Sequence, residues 1–176
     1  MGSSFEKALA FTLQYEGGYG NVLGDAGGET NYGITHAVYD TYRKSKKLPA
    51  RSVRLIEKVE IEDIYKNMYW LPSYCHLLPE KLAMCHFDWS VNHGVVGATQ
   101  TLQRVIGVSD DGIIGDLTKL AITRALANQG EKALCATYCL SRENWYRHRV
   151  MSVPSQQKFL EGWLNRVSAL KKLTVV

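Results

Sequence analysis

The sequence predicts a mainly α-helical protein with one small β-hairpin. Apolar residues recur at helical spacing through almost all of its 176 residues, and strand-prone stretches bounded by turn formers occur in a single glycine-rich segment. The composition, 45% hydrophobic and 22% charged, is that of a packed globule and excludes disorder as the main state. No window approaches the ~18 apolar residues of a membrane-spanning helix. Glu6 and Lys7 interrupt what would be the apolar core of a signal peptide, so no secretion signal is expected.

Taken in order, Ser3 or Ser4 caps a first helix with Phe5, Ala8, Leu9 and Leu13 on its apolar face. Gly17 and Gly18 end it, which places Glu16 on its last turn. The β-prone stretches follow at Tyr19–Leu23 and Thr30–Ile34. A helix over about 35–46 begins at Thr35, and another over about 60–69 shows the stripe Ile61, Ile64, Tyr65 and Met68. Pro79 reads as the first residue of a helix reaching about Asn92. Gln100, Leu102 and Val105 fit a helix between Gly97 and Gly107. The turn SDDGIIGD at 109–116 leads to a helix capped by Asp116, and helices over about 130–150 and 154–172 are separated by Pro154. A composition shift near His93–Gly97 divides the chain into 1–93 and 94–176.

The formal charge of +4 is uneven: residues 1–141 carry 14 Lys/Arg against 15 Asp/Glu, whereas residues 142–176 carry 7 against 2. Such a basic end attracts polyanions such as nucleic acid, anionic lipid or bacterial envelope polymers, or is simply a solvated helix face. Cys75, Cys85, Cys135 and Cys139 lack zinc-ligand spacing, and free core thiols are expected rather than a metal site or a disulfide. SDDGIIGD lacks the alternating acidic ligands and final Glu of a calcium loop. No phosphate loop, GxGxxG or GxSxG is present, which removes the usual sequence support for nucleotide binding or serine hydrolysis.

The segment from Glu16 to Thr35 carries the chemistry. A carboxylate at a helix C-terminus faces the negative end of the macrodipole, so an elevated pKa is expected for Glu16. A carboxylic acid that keeps its proton is what glycosidic cleavage needs, because the leaving oxygen must be protonated as its bond breaks. Asp25, nine residues on, supplies the second carboxylate that activates water or attacks directly. Thr30 follows on the return strand, where its hydroxyl is placed to hold a water or a substrate oxygen. On pattern alone, an exposed helix-end Glu followed by turn-forming Asp and Thr accounts for the same residues.

EGGY at 16–19 followed by D-x-G-G-x-T-N-Y-G-I-T at 25–35 closely resembles the catalytic segment of glycoside hydrolase family 108, the endolysin-type lysozymes of phages and bacteria. The similarity continues through Tyr69-Trp70-Leu71-Pro72, FDWSVNHG at 87–94 and LQRVIGVSDDGIIGDLT at 102–118, and reaches FLEGWLNRV at 159–167. The segment at 102–118 is similar to the peptidoglycan-binding region that follows the catalytic part in this family. The resemblance implies a lysozyme-like helical fold with the hairpin at its active-site cleft, a catalytic region at 1–93 and a peptidoglycan-binding-like region at 94–176.

It further implies hydrolysis of the β-1,4 bond between N-acetylmuramic acid and N-acetylglucosamine, with Glu16 as general acid and Asp25 and Thr30 positioning water. Tyr19, Tyr32 and Asn92 fall on positions that line the glycan cleft or serve the structure. Ala26 stands where Pro is common after the Asp, and Glu29 where a small residue commonly precedes the Thr, so Asp25 and Glu29 compete for one role. No cofactor is implied, and a monomer acting on glycan strands, without nucleic acid, is expected. The basic C-terminal region would meet the anionic envelope. Cytoplasmic storage, followed by holin-type or other specialised release to the periplasm or cell wall, is the expected localisation. A lytic transglycosylase and a non-catalytic peptidoglycan-binding module are the alternatives.

Overall fold

The computed structural model describes residues 2–21 and 28–176, and the segment containing Asp25 lies outside them. Helix α1 spans Ser4–Leu13 and opens on a reciprocal cap. The Ser3 hydroxyl accepts from the Glu6 amide at 3.3 Å while the Glu6 carboxylate accepts from the Ser3 amide at 2.8 Å, an arrangement that contributes about 1 kcal/mol. The helix ends earlier than its glycines suggest. The amides of Gln14 and Tyr15 turn tightly onto the carbonyls of Phe11 and Thr12, so Glu16 lies beyond the helix rather than on its last turn.

Three short antiparallel strands follow, β1 (Gly20–Asn21), β2 (Glu29–Asn31) and β3 (Ile34–Thr35), in the order β1-β2-β3. Gly20 pairs with Thr30, and Thr30 with Thr35. The single return strand expected at 30–34 is thus two strands. Tyr32 and Gly33 both take positive φ, 50° and 71°, and make the two-residue turn between them.

Helix α2 (His36–Ser45) is capped by the Thr35 hydroxyl, as its sequence indicates. Helix α3 (Lys58–Tyr65) runs into one wide turn at Lys66–Trp70. Helix α4 (Glu80–His93) starts after Pro79, and α5 (Val95–Ile106) ends at Gly107 in the left-handed region. Gly130, at φ 79° and ψ 164°, breaks α6 (Asp116–Ser152), so the two helices read from sequence form one interrupted run. A single tight turn at Pro154–Gln156 leads into α7 (Gln157–Thr174). The SDDGIIGD turn is built around Gln103, whose amide group donates to Asp111 and to the Ile113 carbonyl while its oxygen accepts from the Gly112 amide.

Helix α4 is the centre of the molecule and touches α1, α5, α6 and α7. It is buried on nearly every side, through Leu82, Ala83, Cys85, His86, Phe87, Asp88, Trp89 and Ser90. On one flank Ala83 and Phe87 join α1, α2, α3 and Trp70 in an apolar cluster. On the other, Leu82, Cys85 and Trp89, together with Phe11 of α1, join Leu102, Leu134, Tyr138 and Leu170. The four cysteines are buried thiols within these clusters. On α7, Val167 and Leu170 are core residues with Trp163 packed against them, while Phe159 at the near end of that stripe is half exposed. Among the described residues no helix is long and apolar enough to cross a membrane, and no group of three or more His, Cys, Asp or Glu side chains is placed to hold a metal ion.

Candidate active site

A carboxylate and two guanidinium groups lie in the core, which costs free energy unless they satisfy one another. Asp88 is 0% exposed and meets Arg142, 1% exposed, at 2.6 Å. Arg166 reaches the same carboxylate at 2.7 Å, and the Thr12 hydroxyl donates to it at 2.9 Å. Burial alone would raise the Asp88 carboxyl, but the charges of Arg142 and Arg166 outweigh it and hold that carboxyl below the usual range. The pairing extends in two directions. Through Arg142 it reaches the Tyr146 hydroxyl, which donates to the Asn92 side-chain oxygen at 2.6 Å. Through Arg166 it reaches Glu16, whose Oε1 accepts from Nη1 at 3.0 Å.

Glu16 is therefore held from two sides. Its side chain keeps 20% exposure, so one edge faces solvent while Arg166 fixes the other. A Cβ on Gly33 would lie 2.8 Å from Glu16 Oε2 and 2.9 Å from the Tyr65 hydroxyl, so the β2–β3 turn closes on the carboxylate only because a glycine stands there. The Tyr65 hydroxyl donates to the Tyr32 carbonyl at 2.7 Å and locks that turn in place. Burial, with the charge of Glu16 adding to it, raises the pKa values of Tyr65 and Tyr69, so both phenols stay protonated beside it. Arg166 also lies over the Tyr15 ring, 5.2 Å from its centre.

The remaining residues singled out from sequence fall around this carboxylate in different ways. Asp25 lies outside the described residues. Strand alternation separates Thr30 from Glu29 and Asn31. Asn31 faces the Val53 and Arg54 carbonyls, and Glu29 accepts from the hydroxyls of Ser52 at 2.8 Å and Tyr19 at 3.2 Å. The Ser52 hydrogen bond, then Tyr19 and His36, hold the Glu29 carboxyl below its ordinary value. Glu29 is thus tied up on the face opposite Thr30. Tyr19, 41% exposed, belongs to that same Glu29 face, with the Arg54 guanidinium over its ring. Tyr32 is 39% exposed and borders Glu16 through its turn, whereas Asn92 joins it only through Tyr146, Arg142, Asp88 and Arg166. No hydrogen bond joins Thr30 to Glu16 among the described residues.

Asp88, Arg142, Arg166, Tyr146 and Gly33 are site residues that the sequence reading missed. Their signal is an ionic residue in an apolar stripe: Arg142 lies four residues from both Tyr138 and Tyr146, and Arg166 lies between Trp163 and Leu170. The structure also divides the basic excess of residues 142–176. Two of its seven cations are core partners of Asp88 and Glu16, and of the rest Lys171 pairs with the mostly buried Glu143 at 3.2 Å.

The structure titled "Structure of Brucella abortus SagA" is similar over 96% of this chain and 92% of that one, with a TM-score of 0.74 and 29% identity. No curated protein matches. The model of the family Glycosyl hydrolase 108 matches residues 9–94, and that of a Predicted Peptidoglycan domain matches residues 97–168. A segment that matches the family Glycosyl hydrolase 108 and carries Glu16 and Asp88 thus precedes a segment that matches a peptidoglycan domain and carries Arg142 and Arg166.

Proposed function

We propose that the protein is an N-acetylmuramidase that hydrolyses the β-1,4 bond between N-acetylmuramic acid and N-acetylglucosamine, with Glu16 as the general acid. The observation that carries this reading is the fixed, partly open carboxylate of Glu16, clasped between Arg166 and the Gly33 turn in a segment that matches the family Glycosyl hydrolase 108. An acid that delivers a proton to a leaving oxygen must be held in place, reachable by substrate and flanked by groups that do not compete for the proton. Tyr65 and Tyr69 meet the last condition because their own protons are bound tightly. Asp25 and Thr30 complete the proposal by positioning the attacking water, and Glu29 takes no part, since its carboxylate is occupied by Ser52 and Tyr19. A water-activating role for Asp25 predicts inversion at the anomeric carbon, with carboxyl groups roughly 6.5–9.5 Å apart.

Replacement Glu16→Gln tests the reading, because the amide keeps the shape and removes the proton donor. Clearing of a peptidoglycan suspension should fall by at least about a hundredfold, the scale of general acid catalysis, while sedimentation with the polymer persists. In water enriched in heavy oxygen, the parent enzyme should place one labelled oxygen at each new reducing end. Unlabelled anhydro products would establish a transglycosylase instead, and clearing unchanged by Glu16→Gln would remove the acid from its role.

A further inference from the structure

One helical turn beyond the Asp88–Arg142–Arg166 cluster, the same three helices and the turn at Gln156 form a concavity of about 410 Å³. On α4 the step runs from Asp88 to Asn92, on α6 from Arg142 to Tyr146 and Arg149, and on α7 from Arg166 to Trp163, so the cleft is offset from the cluster by about 5 Å of helix rise. Its walls are aromatic. The rings of Tyr146 and Trp163 stack at 4.8 Å, and His93 meets Trp145 edge-on at 4.1 Å.

The polar groups of the lining are nearly all donors. Asn92 spends its oxygen on the Tyr146 hydroxyl and keeps its amide N–H groups, and Gln156 spends its oxygen on Arg149 Nε and keeps the same. Arg149 is exposed and retains both terminal nitrogens, and the indole N–H groups of Trp145 and Trp163 have no partner among the described residues. Burial, then the charges of Arg104, Arg142 and Arg149, lower the pKa of His93 and keep its ring neutral. Among the described residues no acidic side chain lines the cleft. A cleft with aromatic walls, spare N–H donors and one guanidinium matches a ligand rich in amide carbonyls that bears a carboxylate.

We propose that this cleft seats the peptide stem carried by the muramic acid residue of peptidoglycan, Arg149 taking a stem carboxylate while Asn92 and Gln156 donate to its amide carbonyls. Resting on the glycosidase reading of Glu16, this assignment adds which part of the polymer the C-terminal helices grip. It makes the enzyme selective for glycan that still carries its peptides.

The test is direct binding of N-acetylmuramoyl-L-alanyl-D-glutamate, followed by fluorescence of the partly buried Trp145 and Trp163 and compared with chitotriose, which has neither peptide nor carboxylate. The muramoyl dipeptide should bind at least tenfold tighter than chitotriose. Arg149→Gln should remove tenfold or more of that affinity, the value of one charge-assisted hydrogen bond. Gln156→Leu serves as a second variant at the same wall and should also weaken binding. Equal affinity for the two probes, an unchanged constant in both variants, or full displacement by sulfate at matched ionic strength would overturn the assignment. Clearing of peptidoglycan by the same preparation separates the two readings. Clearing without dipeptide binding sinks the cleft alone, and dipeptide binding without clearing sinks the glycosidase reading alone.

Discussion

Replacing Asp88 by asparagine should destabilise the fold by about 3–5 kcal/mol, the cost of breaking a buried ion pair from one side. The structure sets that scale. The Asp88 carboxylate accepts from the Thr12 hydroxyl, from Arg142 at 2.6 Å and from Arg166 at 2.7 Å, and it is the one anion shared by two buried guanidinium groups. Asparagine turns one of those acceptors into a donor facing donors and leaves Arg142 without an anion. Set against a total stability of ~5–15 kcal/mol and a urea slope of ~2 kcal/mol per molar, the unfolding midpoint should fall by about 2 M with the slope unchanged. Urea titration followed by far-ultraviolet circular dichroism measures it. A loss below about 1 kcal/mol would show that the three charges behave as a solvated cluster, against the burial described above. The triple replacement Asp88→Leu/Arg142→Met/Arg166→Met separates fold from function. It should recover most of the stability, because apolar substitution of a whole buried charge set is often neutral or better. It should nevertheless stay poor in clearing peptidoglycan, since Glu16 has lost its clasp.

Two further outcomes follow from the same geometry. Gly33→Ala places a Cβ against Glu16 Oε2 at a position with φ 71°, so it should cost about 1–3 kcal/mol in backbone strain and reduce activity by about a hundredfold if the carboxylate moves by about 1 Å; thermal melting and clearing rates check the pair. His86 is buried against Tyr138 with its pKa pushed down to about 4 by burial, from an ordinary value of 6.5, against a smaller upward pull from the Ser73 backbone. The unfolded chain therefore takes up a proton below pH 6.5 that the folded chain refuses until about pH 4, so stability complete above 6.5 should decline by about 3 kcal/mol as pH falls between those values. Stability curves at pH 7, 5.5 and 4.5 for the parent and His86→Gln test this, and equal slopes in the two proteins would contradict it.

The sequence resolves the helices because each carries its own punctuation. The Thr35 cap and Gly107 are local signals, and the structure uses both as read. It misreads places where local rules compete: α1 stops before its glycines through a tight final turn, the return strand breaks where Tyr32, not only Gly33, takes a positive φ, α5 starts at Val95 and runs through Gly97, and Asp116 opens α6 without capping it. Glu16 is legible because motif and chemistry coincide in one short segment. Its support is not, because Asp88, Arg142 and Arg166 meet across separations of more than fifty positions. Spacing rules describe neighbours three or four residues apart and are silent at that range. Counting charges made the error worse, since a buried arginine and a solvated one add the same unit to the sum while attracting different partners.

That long-range pairing changes what the C-terminal helices are for. Were residues 94–176 only a grip on the polymer, their charges would face solvent and Glu16 would be held by its own half of the chain. Instead Arg166 of α7 supplies the guanidinium that fixes Glu16, and α4 supplies Asp88 to hold Arg166 in turn. The apolar packing repeats the pattern: Phe11, Leu82 and Trp89 share one cluster with Leu102, Leu134 and Leu170. Because Trp163 and Arg166 lie one turn apart on α7, the wall of the aromatic cleft and the clasp on Glu16 are parts of one rigid helix. Interior packing of this density does not let one turn of a helix shift while the next stays still. The position of the carboxylate is accordingly set by the helices that the peptidoglycan domain contributes as much as by the glycosidase segment in which Glu16 is encoded.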